Sequence, residues 1–478
     1  MKHQLSILVS IALIITVVAC THNPSTDTKQ LPALKISDNN RFLTDEHGNP
    51  FFWLGDTGWL LFSKLSREET EIYLADRAGK GFNVIQVMVL HTLTATNFYG
   101  DSALIGSNVA YPHTTEGNDS EDPEQYDFWD HVDYVVDMAA KKGIYLGMVP
   151  VWGSNVKGGL VKREDAAVYA GWLADRYKNS PNIIWLNGGD VRGSDSTGIW
   201  NTIGTIINQV DTNHLITFHP FGRTTSSTWF HDEEWLDFNM FQSGHRRYDQ
   251  DDTEWGFGQD NWKYVYHDYA LLPPKPTIDG EPSYEGIPQG LHDTAQPYWT
   301  EDDVRRYAYW SVFSGAFGFT YGANSVMQFY KPGDRRPSYG AREYWTEGIN
   351  LPGAGQMQYL KNLILSRPSL HRVNDQSLIA GVNGTKYEYL VTTRGDDYAF
   401  IYTYTGRTFT VQMGLISGKT IKASWYKPAD GTTTNIGELE NKGVYEFDPP
   451  GEPNSGNDWV LVLETQKRYL GYIKSPNR

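Results

Sequence analysis

The sequence predicts a (β/α)8 TIM barrel followed by a small carboxyl-terminal antiparallel β-sandwich, and three observations predict it. With 478 residues, the chain is longer than one small module needs. Residues 51–330 alternate short strand-like runs with amphipathic helical stretches. After Pro368, short alternating runs separated by Gly, Asp, Asn and Pro replace that pattern. The order of the two patterns places the α/β barrel first.

The amino-terminal residues have the features of a bacterial lipoprotein signal peptide. A short basic start precedes an apolar run at residues 5–18, too short for a membrane-spanning helix, and the run closes with Val-Val-Ala-Cys at residues 17–20. We expect residues 1–20 to be the signal peptide, Cys20 to be lipidated and residues 21–33 to be a tether. The protein then lies in the cell envelope, in the periplasm or on the outer-membrane surface. An ordinary cleaved signal with a chance cysteine is the alternative.

Composition narrows the class of protein further. Charged residues make up 21% of the chain, hydrophobic residues 40% and aromatic residues 14%, which indicates a globular protein with aromatic-lined surfaces. The net charge of -16 gives no attraction to phosphate backbones, so we expect no nucleic-acid partner. Cys20 is the one cysteine, which excludes an intramolecular disulfide and a thiolate metal cluster.

Eight runs within residues 34–367 are predicted to be the barrel strands: 51–54, 83–90, 144–151, 183–187, 215–219, 237–242, 276–281 and 318–322. Helical signals separate them. Ser66 to Glu69 form a capping box, a stripe from Phe128 to Ala139 has helical spacing, and further helices are predicted at 165–177 and after Thr300. Eight units of this length suit a (β/α)8 barrel. The irregular stretch 97–122 is predicted to be a long loop at the barrel mouth.

Residues 368–478 are predicted to form the β-sandwich. A helical segment near residues 356–365 precedes it, and the strand-like runs are 387–392, 398–403, 409–413, 421–426 and 460–463.

Two carboxylates follow predicted strands at the end of a barrel where reactive groups lie. The fourth run leads to Gly188-Gly189-Asp190, and the seventh contains Asp279-Gly280-Glu281. A protonated acid facing an ionised carboxylate is the pair that glycosidic cleavage needs, so Asp190 and Glu281 are the predicted catalytic residues. The alternative is that Asp190 caps the next segment and Glu281 pairs with an arginine. Strand alternation predicts Asp279 on the same face as Glu281 but deeper, in a structural role.

Other strand ends supply aromatic, amide, carboxylate and imidazole side chains. Such a mixture suits a sugar, whose ring has apolar faces and polar edges. The predicted substrate-binding residues from this group are Asp56, Trp59, Gln86, His91, Trp152, His219, Gln242, His245, Tyr284 and Tyr321. Ordinary packing is the alternative for the tryptophans, and a structural role is the alternative for His91 and His219.

Several signals for other chemistries are missing from the sequence. None of the 13 histidines forms a His-x-His pair or a His-Glu-x-x-His run, so we expect no catalytic metal. The sequence has no Gly-x-Ser-x-Gly elbow, and no dinucleotide fingerprint follows the first strand. We therefore expect no cofactor.

Taken in order, several motifs resemble the apiosidase-like members of glycoside hydrolase family 140. They are residues 41–43, 48–59, 81–86, 188–190, 279–282 and 320–322. The resemblance implies a retaining barrel enzyme, with Asp190 as acid/base and Glu281 as nucleophile. The implied substrate is apiose linked to galacturonic acid in the pectic polymer rhamnogalacturonan II. The carboxyl-terminal part resembles the β-sandwich that accompanies this catalytic domain and is often labelled collagen-binding.

An acidic pectic substrate requires local cations, because the net charge of the chain repels it. The candidates are Arg246 and Arg247 first, followed by Arg192, His245 and Arg335. The expected partner is thus a carbohydrate, with membrane contact only through the lipid anchor. Two other hypotheses stay open from the sequence: a non-catalytic glycan-binding surface lipoprotein on the same barrel, and an adhesion protein acting through residues 375–465.

Overall fold

The computed structural model describes residues 31–465. The expected signal peptide and the expected lipidation site Cys20 lie outside these residues. Within the described part, no helix is both long enough and apolar enough to cross a membrane.

Eight parallel strands form the barrel, which confirms the predicted fold class. Their bounds are Trp53–Thr57, Val84–Leu90, Tyr145–Val151, Ile183–Val191, Ile216–Pro220, Asn239–Gln242, Thr277–Asp279 and Gly318–Tyr321. Each of the eight predicted runs corresponds to one of them, although the first strand starts two residues late and the fourth continues to Val191.

The strands follow one another around the barrel in chain order, and the eighth pairs with the first. Between the fifth and sixth strands the ring closes without a regular ladder. There the Asp237 backbone N–H donates to the Ile216 carbonyl (2.9 Å), and the Thr217 hydroxyl donates to the Phe238 carbonyl (2.5 Å). A two-residue strand, Thr224–Thr225, pairs antiparallel with the sixth strand instead.

A helix follows each barrel strand. The bounds are Arg67–Gly79, Phe128–Lys141, Arg163–Tyr177, Thr197–Val210, Ser227–Phe230, Trp262–Tyr269, Glu301–Phe313 and Pro352–Leu365. The capping box predicted at Ser66 is formed, and the helix predicted after Thr300 begins at Glu301. Four one-turn helices lie in the connections, at Leu61–Lys64, Gly153–Lys157, Asn324–Met327 and Trp345–Gly348.

Side chains alternate between the barrel interior and the layer beneath the helices, as the period of a strand requires. In the fourth strand, Ile184 and Leu186 belong to the interior cluster, whereas Ile183 and Trp185 pack under the helices. An amino-terminal three-stranded sheet, Leu34–Ile36, Leu43–Asp45 and Pro50–Phe51, was not among the predicted elements. Its Phe51 ring lies 5.3 Å from that of Tyr145, so it packs at the amino-terminal end of the barrel.

The carboxyl-terminal region forms two antiparallel sheets. One has five strands in the order Val391–Arg394, Tyr398–Thr403, Trp459–Thr465, Thr420–Tyr426 and Thr433–Glu440, and the other pairs Phe409–Gln412 with Val444–Phe447. The sequence missed Thr433–Glu440 and Val444–Phe447, because both are largely exposed and lack a clear apolar alternation. The run predicted from residue 387 starts later, since Lys386–Glu388 is a 3-10 turn.

The helix Glu301–Phe313 lies between the barrel and the five-stranded sheet. The Tyr309 ring stacks on Tyr402 with centroids 4.8 Å apart, and Phe313 stacks on Phe400 at 5.9 Å. Arg305 makes a buried ion pair with Asp458 at 2.9 Å. This helix is therefore buried on all of its faces, unlike the amphipathic helices elsewhere in the barrel.

Candidate active site

A cavity of about 310 Å³ opens at the carboxyl ends of the barrel strands. Eight of the residues predicted from the sequence line it: Trp59, Trp152, Asp190, Gln242, His245, Arg246, Glu281 and Tyr284. The two predicted catalytic carboxylates therefore share one cavity, which is the geometry the pairing hypothesis requires.

Asp190 stands on an unusual stretch of backbone at the end of the fourth strand. Gly188, Gly189 and Asp190 all have positive φ, at 91°, 107° and 52°, and the ladder to the fifth strand is interrupted there. A Cβ on Gly189 would lie 2.6 Å from the Trp152 ring, so a glycine is needed at that position. The left-handed conformation of an aspartate is uncommon, and it leaves the Asp190 side chain exposed to the cavity.

Two histidines hold the carboxylate of Glu281. His245 Nε2 lies 3.0 Å from Oε1, and His219 Nε2 lies 3.1 Å from Oε2 in a less well aligned contact. The backbone N–H of Tyr284 donates to Nδ1 of His245, and that of Asp190 donates to Nδ1 of His219, both at 3.4 Å. With Nδ1 accepting, the neutral tautomer of each ring carries its hydrogen on Nε2, facing Glu281.

The surroundings push the pKa values of the two carboxyl groups in opposite directions. Burial alone would raise the pKa of Glu281, but the contacts with His219 and His245 outweigh it and lower that pKa from 4.5 to about 2. Enclosure by the cavity walls, and then the negative charge of Glu281, raise the pKa of Asp190 from 3.8 to about 7. Near neutral pH, Glu281 is thus ionised while Asp190 retains a proton for much of the time.

Aromatic rings form one wall of the cavity. The rings of Trp59 and Trp152 lie 5.2 Å apart, and the imidazole of His219 meets Trp59 edge-on at 5.3 Å. The ring of Tyr284 contacts that of His245 at 4.6 Å. These packing contacts fix the orientation of both histidines and present apolar faces suited to a sugar ring.

The cations at the cavity differ from those ranked by sequence. Arg246 lines the cavity as expected, and within residues 31–465 it makes no ion pair. The other three predicted arginines, Arg192, Arg247 and Arg335, do not line the cavity. Arg192 lies over the Phe221 ring, and Arg247 pairs with Asp249. Arg223, which the sequence did not suggest, lines the cavity and lies 3.3 Å from Asp252.

Asp56 and Tyr321, predicted to bind substrate, point away from the cavity into the layer beneath the helices. Asp56 accepts from Arg77 Nε at 2.6 Å and from the Tyr73 hydroxyl at 2.7 Å, and it is fully buried. The hydroxyl of Tyr321 donates to Glu285 Oε2 at 2.6 Å. Strand alternation explains both corrections, because Trp53 and Thr320 on the same strands face the interior and hydrogen-bond to each other there.

Three further predicted residues lie near the cavity without lining it. His219 is fully buried behind Glu281. Gln86 lies beneath the site, and its amide donates to the Gly280 carbonyl at 2.6 Å, which supports the backbone next to Glu281. His91 contacts the Ser63 hydroxyl at 3.2 Å and lies outside the lining.

Asp279 does not share a face with Glu281, contrary to the prediction from alternation. The seventh strand ends at Asp279, and the chain turns at Gly280, where a Cβ would come within 2.4 Å of the Met240 sulfur. Asp279 faces the helical layer and accepts from Ser243 at 2.5 Å and from Asn261 at 2.9 Å. Its predicted structural role agrees with these contacts.

The cavity is also lined by residues that the sequence did not predict. They are Leu60, Met88, Phe221, Gly222, Arg223, Gly244, Ile287, Leu291, Met327, Gln328, Ser338 and Tyr339. Most of them lie in loops that directly follow barrel strands, and this position in the sequence is the signal that could have identified them. Tyr339 comes from the distant part of the loop after the eighth strand and has a positive φ of 50°. Nothing in its local sequence points to the cavity.

No group of three or more His, Cys, Asp or Glu side chains in the described part of the chain is arranged to hold a metal ion. The chemistry available at the cavity is that of two carboxyl groups with opposite protonation, flanked by imidazoles, aromatic rings and two arginines.

A parallel barrel that brings two carboxyl groups of opposite protonation into one cavity at the carboxyl ends of its strands has the groups that glycoside hydrolysis requires. The model of the apiosidase-like catalytic domain matches residues 37–371, and the chain belongs to that family. Residues 373–464 match a second model, described as "Putative collagen-binding domain of a collagenase". The chain is therefore a glycosidase, and the non-catalytic alternative is not retained.

Two solved structures are similar over nearly the whole chain. A glycoside hydrolase family 5 protein from Bacteroides vulgatus ATCC 8482 is 46% identical, with a TM-score of 0.87 over 92% of this chain and 95% of that one. A second, described as a glycoside hydrolase, is 48% identical, with a TM-score of 0.87 over 92% of this chain and 98% of the other. Among curated proteins, none matches this chain.

Proposed function

We propose that the protein is a retaining glycoside hydrolase in which Glu281 is the nucleophile and Asp190 is the acid and base. One observation carries the proposal: both carboxyl groups line the same cavity, and two imidazole N–H groups face Glu281 while no imidazole of residues 31–465 forms such a pair with Asp190. The group that must attack is thus kept ionised, and the group that must donate is left to be protonated.

In the first step, a Glu281 oxygen bonds to the anomeric carbon of the substrate while the glycosidic C–O bond breaks. The proton of Asp190 passes to the departing oxygen, which leaves as an alcohol. The products are a glycosyl ester on Glu281 and an ionised Asp190.

In the second step, esterification has removed the charge of Glu281, so the pKa of Asp190 no longer carries the contribution of that charge. Asp190 accepts a proton from a water molecule, and the oxygen of that water bonds to the anomeric carbon as the ester bond to Glu281 breaks. Glu281 is released as a carboxylate and Asp190 is again protonated, which restores the starting state.

The stereochemical course tests this mechanism. Retention requires carboxyl groups about 5–5.5 Å apart, whereas inversion requires about 6.5–9.5 Å to admit a water molecule. Proton NMR of the first product formed during hydrolysis of an aryl glycoside is expected to show the anomeric configuration of the substrate. An inverted first product overturns the roles given to Glu281 and Asp190.

For the substrate, we infer an apiosyl linkage to galacturonic acid in rhamnogalacturonan II. The family supports the sugar, and the guanidinium of Arg246, which lines the cavity and has no ion-pair partner among the described residues, supports a neighbouring uronate carboxylate. A product screen on rhamnogalacturonan II oligosaccharides and a panel of aryl glycosides is expected to release apiose. Release of a different sugar overturns the substrate and leaves the two-carboxylate mechanism in place.

We also propose that the enzyme is anchored in the cell envelope through lipid on Cys20, which the sequence at residues 17–20 supports. Labelling of cells with a palmitate analogue is expected to mark the wild-type protein and to leave Cys20→Ala unmarked. Equal labelling of both overturns this location.

A further inference from the structure

A second depression adjoins the catalytic cavity. Its volume is about 660 Å³, and it is lined by His292, Thr294, Arg336, Pro337, Ser338, Tyr339 and Gly340. Ser338 and Tyr339 also line the catalytic cavity. The two spaces therefore lie side by side and share one wall.

Hydrogen bonds from the loop after the eighth strand hold the shared wall in place. Asn324 Nδ2 donates to the Tyr339 carbonyl at 2.8 Å. The side-chain amide of Gln328 pairs with the Ser338 backbone, accepting from its N–H at 2.7 Å and donating to its carbonyl at 3.1 Å. These bonds maintain the left-handed conformation of Tyr339, which a tyrosine rarely adopts without such support.

Tyr339 faces both spaces. Its ring lies 5.4 Å from the ring of His292, at 33° to it, so the two rings form a surface along the second depression. Tyr339 lines the catalytic cavity together with Glu281 and Asp190, and burial, followed by the charges of these two carboxylates, raises the pKa of its phenol. An aromatic face between two polar spaces is a surface on which a sugar ring can stack.

The second depression also carries a positive charge. Arg336 is exposed there, and within residues 31–465 it makes no ion pair. Its neighbour Arg335 is equally exposed but lines neither space. An unpaired guanidinium beside hydroxyl groups, here those of Thr294 and Ser338, is suited to bind a carboxylate.

We propose that the second depression is a subsite for a further uronic acid residue of the substrate, with Arg336 binding its carboxylate and Tyr339 and His292 contacting its ring. This inference rests on the proposed function, because it assumes that the scissile bond lies between Asp190 and Glu281. It adds a specificity-determining residue outside the catalytic cavity and makes the enzyme selective for a glycan with charge beyond the sugar it releases.

Calorimetric titration of the full-length enzyme with trigalacturonate and with its neutral, carboxyl-reduced counterpart tests the proposal. Arg336→Ala is expected to weaken trigalacturonate binding about tenfold, as the loss of one charge-assisted contact in water predicts, and to leave the neutral trisaccharide unchanged. Arg335→Ala, the matched control, is expected to change neither. Arg336→Lys is expected to restore part of the loss, because it keeps the charge but not the bidentate geometry.

Turnover of a small aryl glycoside tests whether the effect of the Arg336 substitution is limited to the second depression. Arg336→Ala is expected to leave kcat/KM for that compound at the wild-type value. The proposal is overturned if wild-type enzyme binds both trisaccharides equally or binds neither, or if Arg336→Ala and Arg335→Ala behave alike. Failure of the proposed function has a different signature, namely no release of apiose from rhamnogalacturonan II by an enzyme whose trigalacturonate binding still depends on Arg336.

Discussion

The ends of the fourth and seventh barrel strands each deliver one carboxyl group to the cavity, by very different means. Asp190 stands on three consecutive residues of positive φ and remains exposed, whereas Glu281 follows a tight turn and is only 8% exposed. Two imidazoles face Glu281, whereas the pKa of Asp190 is raised by burial first and by the charge of Glu281 second. The same functional group therefore acquires opposite protonation from its backbone and its neighbours.

Removing each carboxyl group in turn gives the largest effect and separates the two roles. Glu281→Gln is expected to reduce kcat on the order of 10⁵-fold for every substrate, because no other group can form the glycosyl ester. Asp190→Ala is expected to cost roughly 10²–10⁴-fold with a poor leaving group and far less with dinitrophenol, which needs no proton. Stopped-flow assays with both leaving groups measure the difference, and equal losses in both variants contradict the assignment.

The histidines that face Glu281 should show the next largest effect. Loss of His245 removes a hydrogen bond to a charged group, which predicts a reduction of kcat/KM by roughly 10- to 100-fold for His245→Ala. His219→Ala removes a less well aligned contact with the same carboxylate, so a smaller reduction is expected. Both variants are also expected to raise the pKa of Glu281, so that activity is lost at a higher pH on the acidic side. His91→Ala is the matched control, since His91 does not line the cavity. If activity on the acidic side is lost at the same pH as in the wild-type enzyme, the two histidines do not position Glu281.

The coupling between the two acids is expected to be visible in the pH profile. Asp190 donates only when protonated, so kcat/KM should fall as pH rises through about 7, the pKa of that carboxyl group. In Glu281→Gln the neighbouring charge is gone, and the pKa of Asp190 should fall. Carbon-13 NMR titration of labelled aspartate measures this shift directly. An unchanged pKa means that the charge of Glu281 contributes nothing to the elevation, which burial alone then causes.

The smallest effect is expected at Asp279, two residues before Glu281. Burial raises its pKa to about 7, and its contacts with Ser243 and Asn261 can be made by an amide oxygen as well. Asp279→Asn is therefore expected to change kcat by less than about tenfold. Steady-state kinetics with thermal unfolding as a folding control measures this. A loss comparable with that of Glu281→Gln would make Asp279 the reacting carboxylate.

The sequence predicted the barrel and its two facing carboxyl groups because strand order alone decides which ends meet. It placed Asp56 and Tyr321 in the site because position along a strand was considered without the direction of the side chain. Trp53 and Thr320, both interior, show that alternation carried the missing information.

The positions of other site residues could not be predicted from the sequence, because contacts with residues far along the chain determine them. The position of Tyr339 depends on hydrogen bonds from Asn324 and Gln328, and the turn at Gly280 ends the alternation that put Asp279 beside Glu281. The two largely exposed strands of the carboxyl-terminal sheets, Thr433–Glu440 and Val444–Phe447, lack an apolar pattern because pairing rather than burial defines them.

The helix Glu301–Phe313 packs against the five-stranded sheet, so the carboxyl-terminal region cannot be removed without exposing this helix. The face of the five-stranded sheet that carries Phe400 and Tyr402 is covered by this helix, so a matrix ligand has to use another surface of that region. A chain cut after residue 372 would bare the rings of Tyr309 and Phe313 to water and leave Arg305 without Asp458, at a cost of about 3–5 kcal/mol for the broken pair. A chain shortened in this way is therefore expected to aggregate. The carboxyl-terminal sheets have a structural role, because they cover the apolar side chains of the helix Glu301–Phe313.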